Sequence, residues 1–260
     1  MSDHHSKSTW HIEQADFVDF MSRLPPHTVD LILTDPPYQI SRKTGFAHVG
    51  PKSVPRLAVS MHFGPWDDQE INLSCLLQQC YRVLRKGGTA IIFYDLWKVT
   101  KLEEAFSAAK FKQLRVIQWQ KTNPVPLNSK RNYLTNSREI AVLGVKEGKP
   151  TFHSRYDNGI YEAPIPRHNG SRIHPTQKPI QLFKDLVKKH SNPGDLIIDP
   201  FLGSGTTAVA ALEMERNFQG CDLDPDYTKA ARQRMKDIDK TPRYKDLFVE
   251  LACPNKEEFS

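Results

Sequence analysis

Two short segments, each directly after an apolar run, carry the residues best suited to chemistry. The first is Asp35-Pro36-Pro37-Tyr38, which follows the run 29–34. Its prolines fix φ near −65° and have no N–H, so the backbone is stiff and the Pro36 carbonyl can point outward. An aromatic exocyclic amine needs two acceptors, and this carbonyl and the Asp35 carboxylate would supply them. Tyr38 would stack on the ring, worth roughly 1–3 kcal/mol. The segment predicts a site that positions such an amine; a proline-stiffened turn capped by Asp35 is the alternative.

The second segment, 199–207, reads Asp-Pro-Phe-Leu-Gly-Ser-Gly-Thr-Thr. Gly203 and Gly205 lack a Cβ, so the chain can turn tightly and a ligand can approach the backbone. Asp222 stands at the end of the next apolar run, where a carboxylate typically binds ribose hydroxyls in doubly wound sheets. A phosphate-binding Gly-Lys-Ser/Thr and the third glycine of a dinucleotide site are both missing from this segment. It therefore predicts a nucleoside-cofactor site, with a ligand-free tight turn as the alternative.

The elements around these segments alternate between strand and helix patterns, which predicts an α/β fold with a mostly parallel sheet and helices on both faces. Seven strands are expected, at 10–15, 29–34, 89–94, 115–120, 139–145, 196–198 and 217–221. The pair 115–120 and 139–145 should be antiparallel at a sheet edge. Helices are expected to begin at Asp16 and Pro179 and to cover 73–86, 100–110 and 226–237, with Thr100 and Glu103 forming a capping box.

Three segments, 39–65, 121–135 and 146–173, are rich in Pro, Gly and basic residues and show no clear period, so we expect loops inserted in one domain spanning residues 1–260. The chain has a net charge of +6, and residues 121–190 hold 13 Lys/Arg against five Asp/Glu. Such a block suits a polyanion, although a solvated basic face explains the charge alone equally well. The residues predicted to contact nucleic acid are Lys43, Lys52, Arg56, Lys130, Arg131, Arg155, Arg167 and Arg172.

Composition excludes several classes of protein. The sequence has 38% hydrophobic residues but no apolar run near the roughly 20 residues that cross a bilayer. The first ten residues are polar and lack the apolar core of a signal peptide. The four cysteines are scattered without metal-ligand spacing, and we assign no metal site. We therefore expect a cytoplasmic protein.

Taken together, segments 35–38 and 199–207, with His174-Pro175-Thr176-Gln177-Lys178-Pro179 between them, resemble the amino-DNA methyltransferases of the permuted, beta class. The resemblance covers about residues 10–238, and in that family the catalytic motif precedes the cofactor motif. It implies S-adenosyl-L-methionine as cofactor, DNA as partner, and a circularly permuted Rossmann-like methyltransferase fold with a reversed last hairpin.

By position, the resemblance makes Asp35, Pro36, Pro37 and Tyr38 the catalytic motif. It places Asp222 on the ribose of the cofactor, Lys178 on its methionine carboxylate, and Asp16 and Phe17 on its adenine. The full set of cofactor-binding residues that it implies is Asp16, Phe17, Asp35, Thr176, Gln177, Lys178, Asp199, Phe201, Gly203, Ser204, Gly205, Thr206 and Asp222.

The family's adenine enzymes favour Asp at the first motif position and its N4-cytosine enzymes often have Ser, so Asp35 favours N6 of a flipped-out adenine. No Pro-Cys dipeptide occurs, which argues against C5-cytosine chemistry. The alternatives are an N4-cytosine enzyme, an RNA adenine methyltransferase, and a non-catalytic nucleic-acid-binding protein that retains the fold. A homodimer and a cognate restriction endonuclease are further candidate partners. Duplex and single-stranded DNA both stay open as substrates.

Overall fold

The computed structural model describes residues 8–37, 71–124, 134–166 and 178–240. Its strands are β1 (Trp10–Gln14), β2 (Val29–Thr34), β3 (Leu84–Tyr94), β4 (Lys112–Lys121), β5 (Arg138–Val145), β6 (Ile160–Ala163), β7 (Leu196–Asp199) and β8 (Asn217–Asp222). Its helices are α1 (Phe17–Arg23), α2 (Leu73–Val83), α3 (Val99–Ala108), α4 (Ile180–His190), α5 (Thr206–Glu213) and α6 (Pro225–Lys240).

The strands form one sheet in the order β1-β8-β7-β2-β3-β5-β4-β6. Strand β5 runs antiparallel to both of its neighbours, β3 and β4, and every other pair is parallel. The predicted mostly parallel sheet and the antiparallel pairing of β4 with β5 are therefore confirmed. The expected place of this pair at a sheet edge is wrong, because β6 pairs with β4 on its outer side. Because the parallel strands point the same way, their last residues meet at one edge of the sheet, which we call the carboxyl edge: the ends of β1, β2, β3, β4, β6, β7 and β8.

The prediction of seven strands is wrong, because the described residues alone form a sheet of eight. The additional strand is β6, which lies inside the segment 146–173 that we predicted to be a loop. Its burial alternates, with Tyr161 and Ala163 buried and Ile160 and Glu162 exposed. This period of two is typical of a strand. The strand has only four residues and lies between proline- and glycine-rich stretches, so its pattern was too short to be predicted from the sequence. Strand β6 pairs in parallel with β4.

Two predicted boundaries also need correction. Helix α2 ends at Val83 rather than at 86, because Leu84 already pairs with Val29 and begins β3. The capping box at Thr100 is wrong: α3 begins at Val99 and has no side-chain cap. A 3₁₀ turn over 96–98 precedes it, and the Asp95 side chain accepts a hydrogen bond from the N–H of Trp97 at 3.0 Å. The chain is thus already helical before it reaches Thr100.

The core covers both faces of the sheet. Along β2, Leu31 and Leu33 pack on the face covered by α4 and α5, whereas Ile32 packs on the face covered by α1, α2 and α3. Each of these three side chains is fully buried, and burying a side chain of this size stabilises the fold by roughly 1.5–3 kcal/mol. The sheet is therefore held from both sides, which fixes the positions of its strand ends. Among the described helices, none is both long enough and apolar enough to cross a membrane.

Candidate active site

Asp35 lies at the carboxyl edge, one residue beyond the end of β2. Its Oδ2 accepts a hydrogen bond from the Lys178 ammonium. Its Oδ1 is buried and has no hydrogen-bond partner among the described residues. The side chain is 21% exposed as a whole, so the carboxylate borders the surface of this edge. Pro36 is buried and Pro37 is half-buried, while Tyr38 lies outside the described residues.

Lys178 stands in the middle of a chain of opposite charges. Its Nζ lies 3.1 Å from Glu139 Oε2, at the start of β5, and the other oxygen of Glu139 lies 2.7 Å from Lys121 Nζ, at the end of β4. Sequence reasoning placed Lys178 on the methionine carboxylate, but the structure engages it with Asp35 and Glu139. It missed Glu139 and Lys121, for which the available signal was their position at the carboxyl-edge ends of two predicted neighbouring strands.

The electrostatics of this chain differ from one carboxylate to the other. Burial raises the pKa of Asp35, and the nearby Lys178 ammonium opposes that shift without reversing it. Burial also disfavours the ionised form of Glu139, but the two ammonium groups that contact it together hold its pKa below the usual range. Glu139 is therefore the carboxylate that stays ionised at every neutral or mildly acidic pH.

The segment after β7 forms a tight turn around Asp199, which is buried. Its carboxylate accepts hydrogen bonds from the Thr34 hydroxyl at 2.6 Å, the Thr207 hydroxyl at 2.5 Å and the N–H of Phe201 at 3.0 Å. Burial raises the pKa of Asp199 to about 6, although these donors oppose the shift. Both of its oxygens are engaged inside the protein, so Asp199 shapes the turn.

The two glycines of this turn adopt backbone conformations that side chains rarely allow, with φ of 49° at Gly203 and 80° at Gly205. A Cβ on Gly205 would lie 3.0 Å from the Cβ of Ala231 in α6. The N–H of Gly203 donates to Asp222 Oδ2 at 2.7 Å, and the N–H of Asp224 donates to its Oδ1 at 2.9 Å. Each carboxylate oxygen can accept a second hydrogen bond, so Asp222 can hold the turn and still accept from a ligand.

The first strand brings two more predicted residues to the same place. The N–H of Ala15 donates to the Asp222 carbonyl at 3.1 Å, which ties the end of β1 to the end of β8. Asp16 caps α1 by accepting from the N–H of Val18 at 2.8 Å. The rings of Phe17 and Phe201 lie with their centroids 5.1 Å apart.

These groups fit a nucleoside cofactor. The half-buried Asp222 carboxylate suits ribose hydroxyls, the Phe17–Phe201 pair offers apolar surface for a base, and the glycine turn lets a ligand approach the backbone. Ser204 and Thr206 of the turn are buried, with their hydroxyl oxygens 3.3 Å apart. The cofactor-binding residues predicted in the glycine turn, at Asp222 and at the start of α1 thus lie together at the carboxyl edge.

Of the residues predicted to contact nucleic acid, Arg155 lies in the described part of the chain, and it is not brought to this edge. Arg155 is exposed, but the segment that carries it packs at the far end of α4, where the N–H of His153 donates to the Lys189 carbonyl at 2.8 Å. This end of α4 lies at the opposite end of the sheet from Asp35. The residues that lie outside the described part of the chain are Thr176, Gln177, Lys43, Lys52, Arg56, Lys130, Arg131, Arg167 and Arg172.

Comparison with known proteins agrees with this geometry. The sheet and the glycine turn define a Rossmann-like fold that binds S-adenosylmethionine, and a solved structure described as the M1.HpyAVI–SAM complex matches with a TM-score of 0.67 at 26% identity, over 87% of this chain and 99% of that chain. The cytosine-N4-specific PvuII DNA methyltransferase matches with a TM-score of 0.69 at 15% identity, over 94% of this chain and 92% of that chain, which shows the fold alone.

The sequence relatives are DNA methyltransferases. The Type II methyltransferase M2.DpnII of Streptococcus pneumoniae is 31% identical over 261 residues, covering 92% of this chain and 94% of that protein. A family described as DNA methylase, the N6/N4 methyltransferases, matches residues 29–233. The chain belongs to this family, and it is an enzyme that methylates DNA with S-adenosylmethionine as the methyl donor.

Proposed function

We propose that this enzyme methylates N6 of adenine in DNA and belongs to the permuted, beta class, with Asp35-Pro36-Pro37-Tyr38 as its catalytic motif. The observation that carries the proposal is Asp35 Oδ1, a buried acceptor that has no hydrogen-bond partner among the described residues. A buried polar atom left unpaired costs roughly 1–3 kcal/mol. An N–H of the substrate amine would satisfy it.

The order of the chain supports the permuted class. Strand β2, which ends directly before Asp35, precedes β7 and its glycine turn in the sequence, yet the two strands are parallel neighbours in the sheet. The amine-binding and cofactor-binding segments therefore stand side by side at the carboxyl edge, although 165 residues separate Thr34 from Asp199.

The chemistry follows from the acceptors. Asp35 Oδ1 accepts one amine hydrogen and the Pro36 carbonyl accepts the other, which turns the nitrogen lone pair out of conjugation with the ring. When bound, S-adenosylmethionine supplies an electrophilic methyl group. Most of the rate enhancement comes from holding the two reactants in line, for which effective molarities of roughly 10⁵–10⁸ M are known. Because Asp35 Oδ1 accepts one of the amine hydrogens, it can also take the proton that the amine loses when it is methylated.

Adenine rather than cytosine is favoured by Asp at the first position of the motif. The base must leave the duplex to reach a buried acceptor, at a cost of a few kcal/mol. Tyr38 would stack on it, and Thr176 and Gln177 would help to hold the methionine end of the cofactor. DNA contacts are proposed for the residues Lys43, Lys52, Arg56, Lys130, Arg131, Arg167 and Arg172.

Restriction–modification is the proposed biological context, because M2.DpnII and M2.MboI of Moraxella bovis are both described as Type II methyltransferases. A cognate restriction endonuclease is accordingly a proposed partner. A homodimer and a cytoplasmic location, both expected from the sequence, stay predictions, as does a single domain over residues 1–260.

The deciding experiment incubates the purified protein with labelled S-adenosylmethionine and, separately, duplex DNA, single-stranded DNA and RNA of mixed sequence. Each nucleic acid is then digested to nucleosides, and the labelled one is identified by mass. We expect N6-methyladenine from DNA. Label in N4-methylcytosine would overturn the choice of base, and label confined to RNA would overturn the choice of nucleic acid.

A further inference from the structure

Behind Asp35 lie three charged side chains that the methylation chemistry described so far does not use, and together with Asp35 they form a chain of four alternating charges. It runs from Asp35 through Lys178 and Glu139 to Lys121. Lys178 is 5% exposed, and its Nζ lies 5.4 Å from the centre of the Phe93 ring. Its four-carbon stem is flexible, so the direction in which its ammonium points depends on the groups that hold it.

Glu139 is, with Asp35, one of two carboxylates that form an ion pair with this ammonium. With Oε2 at 3.1 Å, it holds Lys178 Nζ from the side of β5 while the same ammonium donates to Asp35 Oδ2. Lys121 in turn holds Glu139 through the other oxygen at 2.7 Å. Because Lys178 engages Oδ2, the carboxyl group of Asp35 is held with Oδ1 free to receive the substrate.

The strands themselves do not need this chain of charges. Backbone pairing already joins β4 to β5, with Trp119 opposite Glu139 and Gln120 opposite Arg138. The Trp119 indole donates to the Ala163 carbonyl at 2.8 Å, which also fastens β6. The four side chains are only 5–25% exposed. Charged groups lose hydration as they become buried, so such an ion chain is a poor source of stability and is better explained by the geometry that it imposes.

We propose that Glu139 is a positioning residue for methyl transfer: acting through Lys178 and supported by Lys121, it orients the Asp35 carboxylate so that Oδ1 faces the amine. This inference rests on the proposed role of Asp35. Glu139 touches neither substrate nor cofactor in this scheme, so its removal should slow the chemical step and leave binding intact. The low pKa of Glu139 is consistent with a permanent negative charge at this position.

The test measures single-turnover methylation at saturating cofactor and DNA, together with the Kd for S-adenosylmethionine. Glu139→Gln should lower the rate roughly 10- to 100-fold, because a misplaced reacting group costs about that much. The Kd for cofactor and the KM for DNA should change by less than about threefold. Lys121→Met should lower the rate a few-fold, since Glu139 keeps its contact with Lys178. Glu213→Gln is the matched control, because it breaks an ion pair with Lys184 that lies between α4 and α5, and it should keep the wild-type rate.

A double-mutant cycle separates positioning from a structural role. If Glu139 acts through Lys178, adding Glu139→Gln to Lys178→Met should cost less than about threefold further, whereas independent roles would multiply. Multiplying effects, or a wild-type rate in Glu139→Gln, would overturn the inference. If Glu139→Gln does not fold by near-ultraviolet circular dichroism, an unchanged rate in Lys121→Met overturns it instead. A wild-type protein that leaves DNA unlabelled would refute the proposed function, which is a different outcome.

Discussion

Asp35 and Asp199 occupy equivalent places in the molecule but have opposite surroundings. Each lies at or directly beyond the end of a buried strand, β2 or β7, and each is followed by proline; the two strands are parallel neighbours. The carboxylate of Asp199 is filled by two hydroxyls and one N–H. That of Asp35 has a single ammonium on one oxygen and no partner among the described residues on the other.

The difference shows that an Asp-Pro dipeptide after a buried strand can serve two purposes. The hydrogen-bond donors around Asp199 are neutral, so no cation offsets the effect of burial, which raises the pKa of Asp199 to about 6. Asp35 contacts the Lys178 ammonium through Oδ2. Its Oδ1 can still accept a hydrogen bond, which is what binding an amine requires. Thr34 links the two sites, because it immediately precedes Asp35 and donates its hydroxyl to Asp199.

The largest effect on methylation should come from removing the Asp35 carboxylate, which carries the acceptor Oδ1. We expect Asp35→Ala to lower the single-turnover rate of methylation by about 10³-fold or more, since the positioning of the amine is lost. Cofactor affinity should stay within a few-fold, because Asp222 and the glycine turn are untouched. Single-turnover kinetics and calorimetric titration with S-adenosylmethionine measure the two quantities. An equal loss of rate and affinity would refute the role given to Asp35.

The carboxylate of Asp199, whose oxygens both accept hydrogen bonds inside the protein, should affect stability instead of methylation. An unfolded Asp titrates near a pKa of about 3.9, and folded Asp199 near about 6. Between these values the unfolded chain loses the proton while the folded protein keeps it, so this group makes the protein less stable as pH rises. Above a pH of about 6 the loss is complete. Relative to Asp199→Asn, the wild-type free energy of unfolding should therefore fall by roughly 2–3 kcal/mol between a pH of about 4 and about 7.5.

Urea unfolding of both proteins across this pH range provides the measurement. His190 acts in the opposite direction, because burial lowers its pKa to about 4 and its folded form resists protonation in acid. That contribution is the same in wild type and variant, so it cancels from the difference. If the two unfolding free energies changed in parallel, Asp199 would have an ordinary pKa, which would refute the effect of burial described for this carboxylate.

Much of this site could be predicted because its residues lie at strand ends. Buried parallel strands read as apolar runs, and the residues that follow them, such as Asp35, Gly203 and Asp222, must meet at one edge. The partners of those residues were harder to predict. The contact of Lys178 with Asp35 spans 143 residues, and that with Glu139 depends on the register of β5 against its neighbours, which hydrophobic periodicity does not determine.

The role of Asp199 was obscured for a similar reason. Its motif indicates a cofactor turn, and family resemblance made it a cofactor residue. Its actual partners are Thr34 on a neighbouring strand and Thr207 in the first turn of α5. Threonines at these two positions carry no distinctive sequence signal. They show that Asp199 is hydrogen-bonded inside the protein only when β2 and β7 are known to be neighbours.

Asp222, at the end of β8, should have an effect on cofactor affinity of intermediate size. We expect Asp222→Ala to raise the Kd for S-adenosylmethionine roughly tenfold or more, because two hydrogen bonds to ribose hydroxyls are worth about 1 kcal/mol each. Asp224→Ala is the matched control. It removes the side chain that accepts from the N–H of Asp226 at 2.8 Å at the start of α6, so it should lower stability and leave affinity unchanged. Unchanged affinity in Asp222→Ala would refute the ribose assignment.

The smallest effect tests whether the two carboxylates are separable. Thr34→Val removes one hydroxyl from Asp199, which keeps its donors from Thr207 and Phe201, so the free energy of unfolding should fall by about 1 kcal/mol. The methylation rate should change by less than about threefold, since Asp35 keeps its contact with Lys178. Thr28→Val is the control, because it deletes an exposed hydrogen bond to the Pro25 carbonyl and should cost less. A loss of methylation in Thr34→Val as large as in Asp35→Ala would mean that Asp199 and Asp35 act as one unit, and that the contrast between a structural and a reactive carboxylate does not hold.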